Sequence, residues 1–285
     1  MINLVKRNLL IYFRDRSTVF FSMLSVIITF GMYIFFLGDL YTSSLSGMNG
    51  TRFLMDSWIM AGILGVTSIT TTLGAYGNMI DDEIRSKTKD FYSAPLKRSV
   101  IAGGYILSSF FIGFIMTLLA LVCAEVYIVL GGGEILPIIT IIKLIGFSLI
   151  SVLSSSSFIL LIVSFIETPS AFSVASTIIG TIIGFLCGIY IPIGSLPEGV
   201  QWIIKFFPPA HSASLFRNLM MEVPMRMAFD DNHIEFLDKF KIEMGLQYKI
   251  GSYTTDTMFS IILLVVSAII FYSLGILIMS RKKKK

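Results

Sequence analysis

The chain has 285 residues, 55% of them hydrophobic and only 14% charged, against about 25% charged in an ordinary soluble domain, so a water-soluble enzyme of this size is excluded. The net charge of +4, from 22 Lys+Arg and 18 Asp+Glu, gives no bulk reason to expect a nucleic-acid partner. The composition fits an all-α polytopic membrane protein.

Residues 3–16 mix apolar and basic positions: Lys6, Arg7 and Arg14 recur at one to two helical turns, and Arg16 closes the segment. The pattern predicts an interfacial helix on the inner leaflet whose basic side chains reach lipid phosphates; an ordinary positive flank of the first span is the alternative. Apolar runs long enough to cross a bilayer follow at 19–37, 57–80, 101–130, 137–166, 170–192 and 256–280. The third and fourth exceed the minimum of about 20 residues, which permits tilt.

In the second span Thr67, Thr71, Gly74 and Asn78 share one polar face, which should avoid lipid. The internal loop 81–98 begins with charges of both signs, among them Glu83, Arg85 and Lys87; Glu83 lies one turn before Lys87, a spacing that supports helix. Phe91 and Tyr92 then place aromatic area in a polar segment. Pro95 ends any helix before it, and Arg98 follows. A docking element for a soluble partner and a solvated connector fit this loop equally.

Glu125 and Lys143 flank the turn between the third and fourth spans at equal distances, so antiparallel helices would hold them at similar depth. An ion pair is expected, with a proton or ion site as the alternative. In the fifth span Gly180, Gly184 and Gly188 recur every four residues beside Thr177 and Thr181, a ridge for close helix packing or the lining of a translocation path.

Segment 193–255 is too long for a connector. Trp202, Phe206 and Phe207 belong to an apolar stretch broken by Pro208 and Pro209, and His211 opens a second stretch. Each is too short to span, which predicts two short re-entrant helices forming an outer gate, with residues 225–250 as a small external cap. His211 reads as structural, because His233 is the only other histidine and no ligand spacing appears. Cys123 and Cys187 both lie in apolar runs, which argues for packing rather than a disulfide or a metal site.

Most Lys and Arg residues precede the first span, fall in 81–98, or end the chain. An even number of spans puts those three segments on one side, so both termini are expected inside. There is no Gly-x-x-x-x-Gly-Lys-Ser/Thr loop, no His-Glu-x-x-His helix and no Gly-x-Ser-x-Gly elbow; no residue is assigned a catalytic role.

The basic helix with Lys6-Arg7-Asn8 and Tyr12-Phe13-Arg14-Asp15 leads into six spans. The acidic-led inner loop ends in Pro95 with Arg98 three residues on, and the paired short segments lie at about 196–222. In that order, over the whole chain, these features resemble the permeases of the type-2 ABC exporter family. One departure is Ser86, nine residues before Pro95, where such loops usually carry glycine.

The resemblance implies a single permease domain, 1–285, in a bacterial plasma membrane. It implies outward movement of an amphipathic substrate (drug, peptide, lipid or lipid-linked glycan). No cofactor would be held by this chain; ATP and magnesium would sit on a separate ATPase subunit docked on loop 81–98. A second permease, identical or related, would complete the pathway, with the second and fifth spans facing it among membrane lipids. Two other classes stay open. An ion-coupled secondary transporter would draw on Glu125 and Lys143 and commonly show duplicated halves, yet no internal repeat is evident. A non-transporting immunity or sensor protein would need no docking loop.

Overall fold

The computed structural model describes residues 1–37, 50–84, 98–229 and 234–282. In chain order the elements are α1 (Ile2–Arg14), α2 (Arg16–Met32), α3 (Thr51–Ile84), α4 (Arg98–Leu130), α5 (Ile138–Phe165) and α6 (Pro169–Leu186). Four short helices follow, α7 (Glu198–Ile204), α8 (Pro208–Met220), α9 (Glu222–Ala228) and α10 (Ile234–Glu243). A small hairpin, β1 (Lys249–Ile250) and β2 (Tyr253–Thr254), precedes α11 (Thr257–Lys282). The chain is an all-α polytopic membrane protein: α3, α4, α5, α6 and α11 are each long and apolar enough to cross a bilayer. The bent α2, with its π-helical extension Tyr33–Leu37, would make a sixth.

Local chemistry sets the breaks. The Asp15 carboxylate accepts the Ser17 and Thr18 amides at 3.0 and 3.3 Å, capping α2 just after α1 has ended. Arg16 is therefore the first residue of α2, not the last of the surface helix. Thr168 caps α6 by accepting the Ala171 amide at 3.2 Å, and Pro169 fills the first helical position.

Helix α3 runs further than the expected 57–80, taking in Asp56 at one end and Asp81, Asp82 and Glu83 at the other. Charge alone did not stop it, because Asp56 accepts the Tyr33 hydroxyl at 2.6 Å and Asp82 is met by Arg7. Helix α6 is shorter than the expected 170–192 and stops at Leu186.

Polarity is sorted as a bilayer requires. Helix α11, with mean hydropathy 2.9 in its most apolar stretch, has 17% of that stretch buried, whereas α3, at 1.4, has 94% buried. The least apolar span is the axis because its hydroxyls need protein partners, while α11 can face lipid. Those partners come from α5 and the back-bonded carbonyls. Ser68 and Ser155 share a bond of 2.9 Å, Tyr76 and Ser156 one of 3.2 Å, and Ser154 reaches Ser267 of α11 at 3.1 Å.

Helix α8 is wedged among α3, α5 and α11. Ala213 lies against Gly65, and Arg217 against Gly62 and Trp58, so α8 runs antiparallel to α3. A strap at 244–248 ties these helices together: Trp58 Nε1 donates to the Met244 carbonyl at 2.7 Å, and Tyr248 Oη donates to that of Ala210 at 2.9 Å.

A cleft between three helices and the joints at its ends

A cleft of about 1150 Å³ lies between α2, α3 and α6. Ser17, Thr18, Asn78 and Asp81 line one end, aromatic and aliphatic side chains such as Phe21, Ile28 and Phe172 line the middle, and Phe185 and Tyr190 lie at the other. Asp81 is the one charged residue of the lining among the described residues. Of the residues expected on a pathway, Gly74, Asn78, Thr177, Gly180 and Thr181 border this cleft. Thr67 and Thr71 do not. They are fully buried, with their hydroxyls donating to the Ile63 and Thr67 carbonyls at 2.7 and 2.6 Å, because other helices cover α3 at both positions.

At the Asp81 end, α1 is fastened to α3 and α4. Arg7 donates from both terminal nitrogens to Asp82, at 2.6 and 2.7 Å, and Tyr105 Oη donates to the same carboxylate at 2.8 Å. Asn8 Nδ2 donates to Ser108 Oγ at 3.1 Å. Arg7 was expected to reach lipid phosphates with Lys6, Arg14 and Arg16. Those three are exposed, but Arg7 turns inward, because a two-pronged bond to a buried carboxylate outweighs a contact to hydrated headgroups. The hydrogen bonds that Arg7 donates to Asp82 hold the guanidinium above its ordinary pKa.

Glu83, exposed, sits in the last turn of α3, so the inner loop starts later than expected. Arg85, Ser86, Lys87, Phe91, Tyr92 and Pro95 lie outside the described residues. Arg98 opens α4, its side chain also outside them.

At the Tyr190 end, α6 closes in a left-handed turn. The Ile189 amide donates to the Gly184 carbonyl at 2.9 Å and that of Gly188 to Phe185 at 3.0 Å, with Gly188 at φ +64°. Gly188 is thus the helix stop and not the third rung of a glycine ridge, as expected. Arg217 of α8 completes the cap: its Nη2 donates to the Cys187 and Gly188 carbonyls, both at 2.9 Å, and its guanidinium stands 4.9 Å from the Trp58 ring centre. Nor do Gly180 and Gly184 form a ridge against another helix among the described residues. A Cβ on Gly180 would be in open space, while one on Gly184 would collide with the Tyr190 ring.

The residues expected at an outer gate divide into two groups, neither bordering the cleft. Trp202 and Phe206 are exposed and stacked 6.0 Å apart. Phe207 packs on Phe158 at 5.6 Å, and Pro208, Pro209 and His211 are buried at the start of α8. His211 Nε2 donates to the Lys205 carbonyl at 2.9 Å, and Ser260 Oγ bonds Nδ1 at 3.0 Å.

The expected pair of Glu125 and Lys143 does not form. Glu125 accepts the Leu136 amide at 3.3 Å, Lys143 is exposed, and no ion pair joins them among the described residues. The turn before α5 brings a backbone donor to the carboxylate first.

Sequence reading missed Asp82, Tyr105, Tyr190 and Arg217. A lone arginine in an apolar segment was the available signal for the last, and glycine followed by Pro192 was the signal for the end of α6.

Residues 39–277 match the sequence profile of a family described as ABC-2 family transporter protein. No curated relative matches the chain.

Proposed function

The chain belongs to the ABC-2 family of transporter proteins, as a membrane permease subunit that works with an ATP-binding subunit; from that premise we propose that it exports an amphipathic substrate outward through the cleft between α2, α3 and α6. The cleft itself carries this reading. Its hydroxyl-lined, Asp81-bearing end suits a polar or cationic head, and its apolar length suits a hydrophobic body. Both termini lie inside, following the distribution of Lys and Arg.

Helix α6 supports a second permease copy or related chain across the cleft. Its mean hydropathy is 1.6 with 11% of the stretch buried, and its Thr177 and Thr181 face is poorer company for lipid than that of α11. The α7–α8 pair dips into the outer leaflet: Ala213 lies beside Gly65, which at 1.5 Å per residue is about 21 Å along α3 from Thr51. The ATP-binding subunit docks on the inner loop, with Phe91 and Tyr92 filling a groove and Glu83, Arg85, Lys87 and Arg98 setting register. ATP and magnesium are held there, on the partner.

The test is co-reconstitution of this chain with the ATP-binding subunit in vesicles, using a lipophilic cationic dye and a fluorescent phospholipid as probes. ATP-dependent movement of either is expected, and the double substitution of Phe91 and Tyr92 by alanine should abolish it together with recovery of the subunit in a pull-down. Movement driven by a proton or sodium gradient without ATP would overturn the proposal in favour of a secondary transporter.

A further inference from the structure

The geometry points to Tyr190 as the side chain that closes the outer end of the cleft, a hinged bar latched to α2 and carried on the turn that Arg217 holds. The inference rests on the reading of the cleft as the pathway.

Three observations converge on it. First, Tyr190 is half-buried at the limit of the cleft and reaches across it, sharing a hydrogen bond of 3.1 Å between its hydroxyl and Thr29 Oγ1 of α2. Second, the ring has a fitted seat. It lies on the bare backbone of Gly184, where any side chain would displace it, and Phe185 packs edge-on with centroids 4.9 Å apart. Third, the backbone that carries it has a defined pivot. Gly188 holds a conformation open mainly to glycine, Arg217 grips the carbonyls of Cys187 and Gly188, and Ile189 packs against α3 at Gly62.

Tyr190 therefore stands between a fixed anchor on one side and a hydroxyl contact to Thr29 on the other. Breaking the Thr29 contact loosens the ring's hold on α2, while the turn beneath stays in place. Passage outward requires this ring to move, because it spans the gap between α2 and α6 just beyond the C-terminal end of α6. A separation of α2 from α6 breaks the Thr29 bond directly, so widening the cleft and releasing the bar are one event.

The experiment uses the full chain with its ATP-binding subunit in vesicles of known orientation, carrying Ser176→Cys as a reporter inside the cleft. A membrane-impermeant maleimide is applied to one face at a time. Labelling is measured above the parent chain, which has only the exposed Cys123 and the buried Cys187. With Tyr190 intact, outer-face labelling should be slow. Tyr190→Phe, which keeps the ring and loses one hydrogen bond, should speed it about fivefold, and Tyr190→Ala by at least about tenfold, with inner-face labelling unchanged in both. Gly184→Ala should act as Tyr190→Ala does, by unseating the ring.

Unchanged outer labelling in Tyr190→Phe and Tyr190→Ala overturns the gate. So does an equal rise from both faces, which would mean general loosening. Should the alanine variant fail to fold, Tyr190→Phe decides alone. Failure of the pathway reading looks different. It shows as a reporter in the unaltered-Tyr190 chain whose labelling ignores ATP and orthovanadate at both faces.

Discussion

Two inward-turned arginines fasten this molecule, and they are held in different ways. Arg7 has a full counter-charge, a carboxylate bonded to both terminal nitrogens and supported by Tyr105. Arg217, fully buried, has only partial charges, two carbonyls at the end of α6 and the face of Trp58. The first joins α1 to the C-terminal end of α3, where charge is plentiful. The second joins α8 to the C-terminal end of α6, where the helix dipole offers partial negative charge. Arg217 thus sits away from water on partial charges, with its Nε and Nη1 lacking a hydrogen-bond partner among the described residues. The arrangement tolerates less displacement than an ion pair does.

That contrast can be broken by substitution. Arg217→Ala should have the largest effect, about 4 kcal/mol of lost stability, from the cavity and two carbonyls left without a donor. Thermal unfolding of the purified chain in detergent measures it. Arg217→Met sharpens the point: if Met proves as stable as arginine, the acceptors do not need the charge, and shape alone holds the joint.

Asp82→Asn should cost less, about 1–2 kcal/mol, because the Arg7 side chain is 28% exposed and can recover water. A double-mutant cycle with Arg7→Gln should return a coupling of about 1 kcal/mol; zero coupling would mean that the inner joint is held by packing of α1 on α4 and not by charge.

Glu125→Gln and Lys143→Gln should each change stability by no more than about 0.5 kcal/mol, without coupling. A marked coupling in the same unfolding assay would restore the ion pair that the backbone amide of Leu136 displaces here.

The smallest effect is expected at Asp15. Hydrogen bonds from the Thr18 hydroxyl and amide, and from the Ser17 amide, lower its pKa. A lowered folded pKa contributes stability above the ordinary carboxylate value, and that contribution is lost as pH falls through the folded one. The unfolding temperature of Asp15→Ala should therefore lie slightly below that of the unaltered chain at neutral pH, and the gap should close in acid. A gap that persists at low pH would assign the capping to something other than the carboxylate.

Composition and hydropathy runs made the spanning helices legible, since twenty apolar residues have few other destinations. The short helices around Pro208 and Pro209 were legible for the same reason, being apolar yet too brief to cross. Helix ends were less so. Asp56 and Asp82 looked like places to stop, and α3 continues through both because each finds a partner on a helix remote in sequence. Gly188 looked like the next rung of a stripe and is the stop, since four-residue spacing says nothing about φ.

Length and apolar runs alone make this a polytopic membrane protein and place its apolar helices, and the Lys and Arg pattern is what the proposal of both ends inside rests on. Those are properties of composition along the chain, which the bilayer reads locally. Only the tertiary structure decided which polar residues meet. Arg7 found Asp82, Arg217 found a helix end, Tyr190 crossed to Thr29, and Glu125 turned to a backbone amide. Such choices depend on distances between segments far apart in sequence, and a buried polar group takes whichever partner the packing brings within hydrogen-bonding reach.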